Sequence, residues 1–180
     1  MRKITVGLFM SLDGVVEAPE KWTFQYFNPE IGAHIGARIM ASDTLLLGRV
    51  TYQSFEATFS KQKGQPADGL NSIRKYVVST TLKTADWNNS TVINGNVVEE
   101  ITKLKQQPGK DIAISGSVGL VKLLMQHDLI DEYSLMVYPI VLGTGIRLFA
   151  DGMAQLPLKL IQTKPLGDAV VALRYQPDRK

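Results

Sequence analysis

The stretch ISGSVGLVKLL, Ile114–Leu124, joins the end of an apolar strand to the start of an amphipathic helix through small residues alone. A strand that leads straight into a helix is typical of α/β proteins, whose ligands bind at the carboxyl ends of the strands. The first N–H groups of such a helix are unpaired and carry partial positive charge, so a phosphate can bind there. A tight turn with Ser117 as a simple N-cap accounts for the same residues. Taken alone, this stretch leaves both interpretations open.

Two further strand ends carry groups that bind anions. LLLGRVTYQSF, residues 45–55, ends a strand at Gly48 and begins a helix with Arg49, whose guanidinium can donate two hydrogen bonds to a phosphate. An exposed first-turn arginine is the alternative interpretation. YVVSTT, residues 76–81, ends a strand in hydroxyl side chains that suit a phosphate ester or a ribose, and equally an ordinary polar turn. Together the three strand ends predict an extended phosphorylated ligand such as a dinucleotide.

Apolar strands alternate with amphipathic helices along the whole chain. Continuous apolar strands separated by helices predict a mainly parallel central sheet with helices on both faces, and the β-rich tail predicts an antiparallel C-terminal edge. We therefore predict an α/β fold in a single domain spanning residues 1–180, with a loop at residues 60–71. Asn28 and Asn96 are predicted helix N-caps, the second in a capping box with Glu99. The predicted strands are residues 3–12, 43–48, 75–80, 90–94, 108–115, 132–143, 157–166 and 167–176, and the predicted helices are residues 28–41, 49–59, 96–107 and 117–127.

The composition excludes several kinds of site. The 180 residues contain no cysteine, which excludes a disulfide framework, a thiolate metal site and a cysteine nucleophile, and fits a cytoplasmic location. Proteins that bind nucleic acid concentrate basic residues in a stripe. The 20 Lys and Arg residues of this chain are scattered, so we expect no nucleic-acid partner. No run of 18 apolar residues predicts a membrane span. His34 and His127 lack partners at metal-ligand spacing, so we interpret both as surface residues and expect no metal.

Five short motifs occur in an order that is similar to a known family: SLDGVVEAP, LLLGRVTYQSF, YVVST, ISGSVGLVKLL and YPIVLGTGIRLF. From about residue 3 to residue 175 the chain resembles the dihydrofolate reductase-like superfamily. Within it, the chain is most similar to standalone relatives of the reductase domain of the bifunctional riboflavin-biosynthesis deaminase/reductase. The resemblance implies a three-layer dihydrofolate reductase-like fold and NADPH-dependent hydride transfer to a pterin-, pyrimidine- or flavin-like heterocycle. A nucleotide-binding module without catalysis is the alternative.

The resemblance also implies the residues that bind NADPH. The cofactor's phosphates would meet Gly48, Arg49 and Thr51 at the first of the three strand ends along the chain. The adenosine 2′-phosphate would meet Ser79 and Thr80. The pyrophosphate and nicotinamide side would meet Ser115, Gly116, Ser117, Val118, Gly119 and Leu120.

Two acidic residues are candidates for the catalytic proton donor. Dihydrofolate reductases place a carboxylic acid near the start of the first helix, where this chain has Glu30. A first-turn residue that complements the helix dipole is the alternative interpretation. Asp13, in the loop after the first strand, is the second candidate, with an ordinary turn residue as the alternative. The four aromatic side chains at residues 22–27 either form a wall for a planar heterocycle or pack in the core.

The chain departs from the riboflavin reductases after its second strand. Those relatives carry an arginine that binds a ribose phosphate, whereas VTYQSFEATF, residues 50–59, contains none. Arg147 is the candidate replacement, and we expect a smaller, unphosphorylated heterocycle as the substrate. Relatives often form dimers, so YSLMVYPIVLG, residues 133–143, is either a strand at a homodimer interface or a central buried strand.

Overall fold

The computed structural model describes residues 1–149 and 151–179. The predicted strands and helices all occur in the predicted order, together with one additional short helix and two 3₁₀ turns. The strands are β1 Ile4–Ser11, β2 Ser42–Gly48, β3 Arg74–Val78, β4 Ser90–Ile93, β5 Asp111–Ser115, β6 Glu132–Tyr138, β7 Leu158–Leu166 and β8 Val170–Pro177. The helices are α1 Pro29–Met40, α2 Arg49–Phe59, α3 Ala67–Ser72, α4 Val97–Gln106 and α5 Val118–Gln126, and single 3₁₀ turns lie at Pro19–Lys21 and Phe24–Tyr26.

The strands form one sheet in the order β4-β3-β2-β5-β1-β6-β8-β7. The strands from β4 to β6 are parallel, and β8 and β7 extend the sheet antiparallel at one edge. This arrangement confirms the predicted α/β fold. Since β6 lies between β1 and β8, its residues form a central, buried strand, as the second interpretation predicts; the homodimer interface stays a prediction.

Helices cover both faces of the sheet and so make three layers. Val6 of β1 belongs to a core shared with α4 and α5. On the opposite face, Leu47 of β2 packs with α2 and α3, while Tyr138 of β6 packs with α1. Thus α1, which follows β1, and α5, which follows β5, lie on opposite faces. In open α/β sheets, ligands bind in the crevice that such a divergence opens at the carboxyl ends of neighbouring strands.

The two predicted asparagine caps have different outcomes. Asn28 caps α1 as predicted, and its side-chain oxygen accepts a hydrogen bond from the Ile31 N–H at 3.0 Å. Asn96 precedes α4, but its side chain makes no cap hydrogen bond. Its backbone is left-handed, with a φ of 48°, whereas a capping side chain needs the extended conformation. Glu99 pairs instead with Lys103 at 2.8 Å, so the predicted capping box is wrong.

The predicted loop and the aromatic segment contain more structure than the sequence pattern indicates. Helix α3 occupies the second half of the predicted loop and ends one residue beyond it, and its Ala67 and Leu70 pack into the core. In the aromatic segment, Trp22 is buried, whereas Phe24 and Phe27 are 85% and 62% exposed. Trp22 therefore packs in the core, whereas the rings of Phe24 and Phe27 are open to solvent. Within residues 1–149 and 151–179, no helix is long and apolar enough to cross a membrane.

Lys75 is a fully buried cation near the amino end of β3. Its Nζ donates hydrogen bonds to the carbonyl oxygens of Asn88 at 2.8 Å, Ile73 at 2.9 Å and Asn71 at 3.5 Å. The same atom lies 4.3 Å from the centre of the Trp87 ring, within the range of a cation–π interaction. Burial lowers the pKa of Lys75 to about 8. Three carbonyl acceptors require the three N–H groups of an ammonium, so Lys75 is charged at neutral pH.

Candidate functional site

The starts of α2 and α5 meet at the carboxyl edge of the sheet. Strands β2 and β5 pair directly, so both strand ends open on the same crevice. The Ser117 hydroxyl connects them: it accepts a hydrogen bond from the Gly48 N–H at 2.6 Å and donates one to Thr51 Oγ1 at 3.0 Å. Gly48 and Gly116 leave space for this contact, because a Cβ at either position would lie within 3 Å of Ser117 or Thr51.

Ser117 occupies the N-cap position of α5 without capping it. Both Gly116 and Ser117 have left-handed backbones, with φ of 64° and 58°. For a serine this conformation costs about 1–3 kcal/mol, and such strain occurs most often at functional sites. Because the Ser117 side chain makes no cap hydrogen bond, the first N–H groups of α5 stay open, and the interpretation of Ser117 as a simple N-cap does not hold.

The first turns of the helices differ in charge. Glu30 lies in the first turn of α1, Asp68 in that of α3, and Glu99 and Glu100 in that of α4. Helices α2 and α5 have neither an acidic first-turn residue nor a side-chain cap. Acidic residues offset the partial positive charge at a helix N-terminus. The two helices that meet at Ser117 are therefore the ones whose N-termini keep this charge for an external anion.

The third strand end lies beside the second. Gly48 pairs with Val78, so the turn after β3 begins next to the start of α2. Ser79 is buried, and its Oγ accepts hydrogen bonds from the N–H groups of Thr81 at 3.2 Å and Leu82 at 2.9 Å. This hydroxyl shapes the turn, which leaves Thr80 exposed. Arg49 is also exposed, and its guanidinium donates to Gln53 Oε1 at 3.1 Å.

Asp13 anchors two loops to each other. Its carboxylate accepts hydrogen bonds from the Ser11 hydroxyl at 2.6 Å and from the N–H groups of Leu142 at 3.1 Å and Gly143 at 2.8 Å. These donors, the Ser11 hydroxyl first, hold the pKa of Asp13 well below its usual range. Arg147 belongs to the same anchor, because its Nε donates to the Asp13 carbonyl oxygen at 2.9 Å. A carboxylate that stays ionised is a poor proton donor, so this geometry does not favour Asp13 in that role.

Glu30 lies in the first turn of α1 and faces the turn between β7 and β8. Its Oε2 accepts a hydrogen bond from the Gly167 N–H at 3.3 Å, and the residue is exposed. This contact joins α1 to the C-terminal hairpin. Its role as proton donor stays a prediction.

Two residues that the sequence analysis did not assign to the site lie on α1. Arg38 donates to the Ser115 hydroxyl at 2.7 Å and to the Ile114 carbonyl oxygen at 3.3 Å, at the end of β5. His34 is half-buried, so its interpretation as a surface residue is wrong. Both residues follow Ile31 at helical spacing, and polar residues on the core-facing side of a helix are the signal that could have identified them.

The sequence of the chain matches one known protein family over nearly its whole length. Residues 2–172 match the model of the RibD C-terminal domain. The chain belongs to this family. Its relative YyaP of Bacillus subtilis (strain 168), an uncharacterized protein, is 31% identical over 182 residues, which cover 97% of this chain and 94% of the relative. Family membership supports a function of the reductase type.

Solved structures share the fold of this RibD C-terminal domain chain. A protein of Shewanella sp. PV-4 superposes with a TM-score of 0.80 at 22% identity, over 98% of this chain and 99% of that protein. Dihydrofolate reductase from Enterococcus faecalis, complexed with NADP(H) and RAB-propyl, superposes with a TM-score of 0.69 at 15% identity, over 98% and 97% of the two chains. These superpositions confirm the dihydrofolate reductase-like fold.

Proposed function

We propose that the chain is an NADPH-dependent reductase that transfers hydride to a pterin-, pyrimidine- or flavin-like heterocycle. The observation that carries this proposal is the pair of uncapped, acid-free helix N-termini joined by Ser117. Two such N-termini side by side suit the two phosphates of a pyrophosphate. Membership of the RibD C-terminal domain family and the NADP(H) complex of the Enterococcus faecalis reductase support the choice of cofactor.

The residues at the strand ends fit a dinucleotide. The N–H groups of Val118, Gly119 and Leu120 would bind one phosphate, and the start of α2 after Gly48 would bind the other. Thr80 and Arg49, both exposed beside this junction, would contact the adenosine 2′-phosphate. When bound, NADPH supplies the hydride. The role of the chain is to hold the cofactor and the heterocycle at reacting distance, which is worth several kcal/mol in such reactions.

Gly119→Ala tests the phosphate position without disturbing the fold. A Cβ at Gly119 meets no protein atom within 4 Å, and alanine favours a helix, so we expect the melting temperature to stay the same or rise. If a phosphate binds at the start of α5, the methyl group lies against it, and NADPH affinity falls about tenfold or more. Fluorescence titration with NADPH and a thermal melt measure the two effects. Unchanged affinity would place the phosphates elsewhere.

NADPH is expected to bind about 10- to 100-fold more tightly than NADH, since one charge-assisted contact contributes about 1.5–3 kcal/mol. Arg49→Ala should reduce this preference, whereas Arg74→Ala, which removes an exposed arginine near the amino end of β3, should not. Titration of the three proteins with both cofactors gives the ratios. Equal dissociation constants in the unmodified protein would contradict the assignment.

Steady oxidation of NADPH with a candidate heterocycle separates a reductase from a nucleotide-binding module.

A further inference from the structure

Arg38, near the end of α1, contacts the sheet at the last residue of β5. Its guanidinium donates hydrogen bonds to the Ser115 hydroxyl at 2.7 Å and to the Ile114 carbonyl oxygen at 3.3 Å. A guanidinium is planar and rigid, so two hydrogen bonds from it fix the direction of the groups that accept them. One side chain of α1 therefore holds both the last side chain of β5 and the peptide unit before it.

Gly7 of β1 provides the space for this guanidinium. Gly7 pairs with Ser115, and the three heavy atoms nearest to a Cβ built on Gly7 are Cζ, Nε and Nη1 of Arg38. A side chain at this position would push the guanidinium away from the end of β5. Glycine in the interior of a strand weakens the strand and often marks the close approach of another group. The central strand thus contains a residue that suits Arg38 rather than the sheet.

The turn that follows β5 is strained. Gly116 and Ser117 both have left-handed backbones. The Ser117 hydroxyl then bonds to the Gly48 N–H and to Thr51 Oγ1, and we name this contact the cofactor junction. A strained backbone of this kind persists only where the surrounding structure over-determines it. The cofactor junction constrains the turn on its helix side, and Arg38 constrains it on its strand side.

Arg38 does not stabilise the fold as an ion pair. In the part of the chain that the structure describes, its guanidinium bonds to neutral oxygens and contacts no carboxylate. Glu132, the acidic residue whose field acts on it, is held by Arg174 in a two-point ion pair at 2.9 and 3.0 Å. Burial lowers the pKa of Arg38 to about 10, because the folded chain disfavours its charged form. Burying an unpaired charge costs free energy, so stability alone would favour an apolar residue here.

We propose that Arg38 is a positioning residue for cofactor binding: it fixes the end of β5, and thereby the left-handed turn and the cofactor junction, without contacting the cofactor. Gly7 takes part by leaving room for the guanidinium. The inference rests on the proposed function, and it adds a residue of α1 to those that determine how tightly the dinucleotide is held.

Arg38→Met removes the guanidinium and keeps the apolar part of the side chain. We expect NADPH affinity to fall about tenfold or more, whereas the melting temperature stays the same or rises because an unpaired buried charge is lost. Fluorescence titration with NADPH and a thermal melt measure the two effects. Arg74→Met, the same change at an exposed position near the amino end of β3, is the control and should alter neither. Unchanged NADPH affinity in Arg38→Met, whatever its melting temperature, would overturn the inference.

Gly7→Ala tests the position of the guanidinium rather than its presence. The added methyl group lies where the guanidinium is, and the end of a flexible side chain moves more easily than a strand. Gly7→Ala alone should therefore weaken NADPH binding about tenfold, as Arg38→Met does. In a protein that already carries Arg38→Met, no guanidinium is left to displace, so Gly7→Ala should cause a further loss of less than about threefold. Losses that multiply in the double variant would mean that the two residues act independently, and the inference would fail.

NMR spectra of the cofactor-free protein report on the turn directly. The ¹H–¹⁵N amide signals of Ser117 and Gly48 should shift in both Arg38→Met and Gly7→Ala, and in neither case should Arg74→Met reproduce the shift. If the two signals stay in place, the inference fails whether or not NADPH binds. Failure of the proposed function gives a different result: the unmodified protein then binds no NADPH, while the signals still shift in both variants and Arg38 keeps its hold on the turn.

Discussion

Gly116→Val is expected to weaken NADPH binding about a hundredfold or more, equivalent to about 2.7 kcal/mol. Gly116 has a φ of +64°, and a Cβ there would lie 2.9 Å from Thr51 Oγ1 and 3.0 Å from Thr51 Cγ2. Left-handed backbone costs an L-residue about 1–2 kcal/mol, and a β-branched side chain tolerates it least. The turn must therefore move, and Ser117 then loses its hydrogen bonds to the start of α2. One substitution would thus displace both of the helix N-termini that we propose bind the phosphates.

Gly36→Ala is the matched control for this substitution. Gly36 lies within α1, where a Cβ meets no atom within 4 Å, so alanine should stabilise the helix slightly and leave NADPH affinity unchanged. Fluorescence titration with NADPH compares the variants, and circular dichroism shows whether each is folded. If Gly116→Val bound NADPH with normal affinity, the junction would be an ordinary strand-to-helix turn without a role in cofactor binding.

Lys75→Met is expected to give the largest loss of stability, about 2–4 kcal/mol, or roughly 5–15 °C in melting temperature. Methionine fills a similar volume but leaves the carbonyl oxygens of Ile73 and Asn88 without their donor, whereas the Asn71 carbonyl oxygen keeps the Asn89 side-chain amide at 3.4 Å. Each buried, unsatisfied acceptor costs about 1–3 kcal/mol, partly offset because a buried charge is also removed. Lys103→Met, on the exposed surface of α4, is the control and should change the melting temperature little.

The pH dependence of stability gives an independent check on Lys75. Its pKa is about 8 in the folded chain against 10.5 when unfolded, so between these values the unfolded chain binds more protons. Stability from this group therefore rises as the pH increases from about 8 to 10.5 and falls as the pH returns to 8. Chemical denaturation across this range should show the stability of the unmodified protein rising relative to that of Lys75→Met. Groups common to both proteins, such as Tyr133 and Tyr138 with their raised pKa values, cancel in this difference. Parallel curves for the two proteins would mean that Lys75 titrates normally.

The sequence allowed the fold class and the junctions to be predicted because both depend on local patterns. Continuous apolar strands between amphipathic helices indicate a parallel sheet, and glycine at a strand end indicates a close turn. Asn28 followed by Pro29 marked the start of α1 correctly for the same reason. Helix α3 escaped prediction because its short sequence, ADGLNS, contains glycine and polar residues and is stabilised by packing of Ala67 and Leu70.

The contacts within the site depend on pairs of residues far apart in sequence. The hydrogen bond between Ser117 and Gly48 spans 69 positions, and that between Arg38 and Ser115 spans 77. A local pattern contains no information on such a pair, so Ser117 could be interpreted as a helix cap and His34 as a surface residue. The role of Gly7 is likewise invisible in a strand pattern, because it depends on a side chain from α1.

The strand order also affects how the protein is made. Both partners of β1 within the described residues, β5 and β6, begin after residue 110, whereas β2, β3 and β4 can already pair with one another. A growing polypeptide therefore exposes the edges of β1 and β2 until β5 is synthesised and inserts between them. Unpaired strand edges favour aggregation, and such long-range pairing is slow. Insertion of β5 ends this vulnerable interval and, in the same step, brings Ser117 to Gly48, so a nascent chain completes the proposed cofactor junction only when its sheet closes.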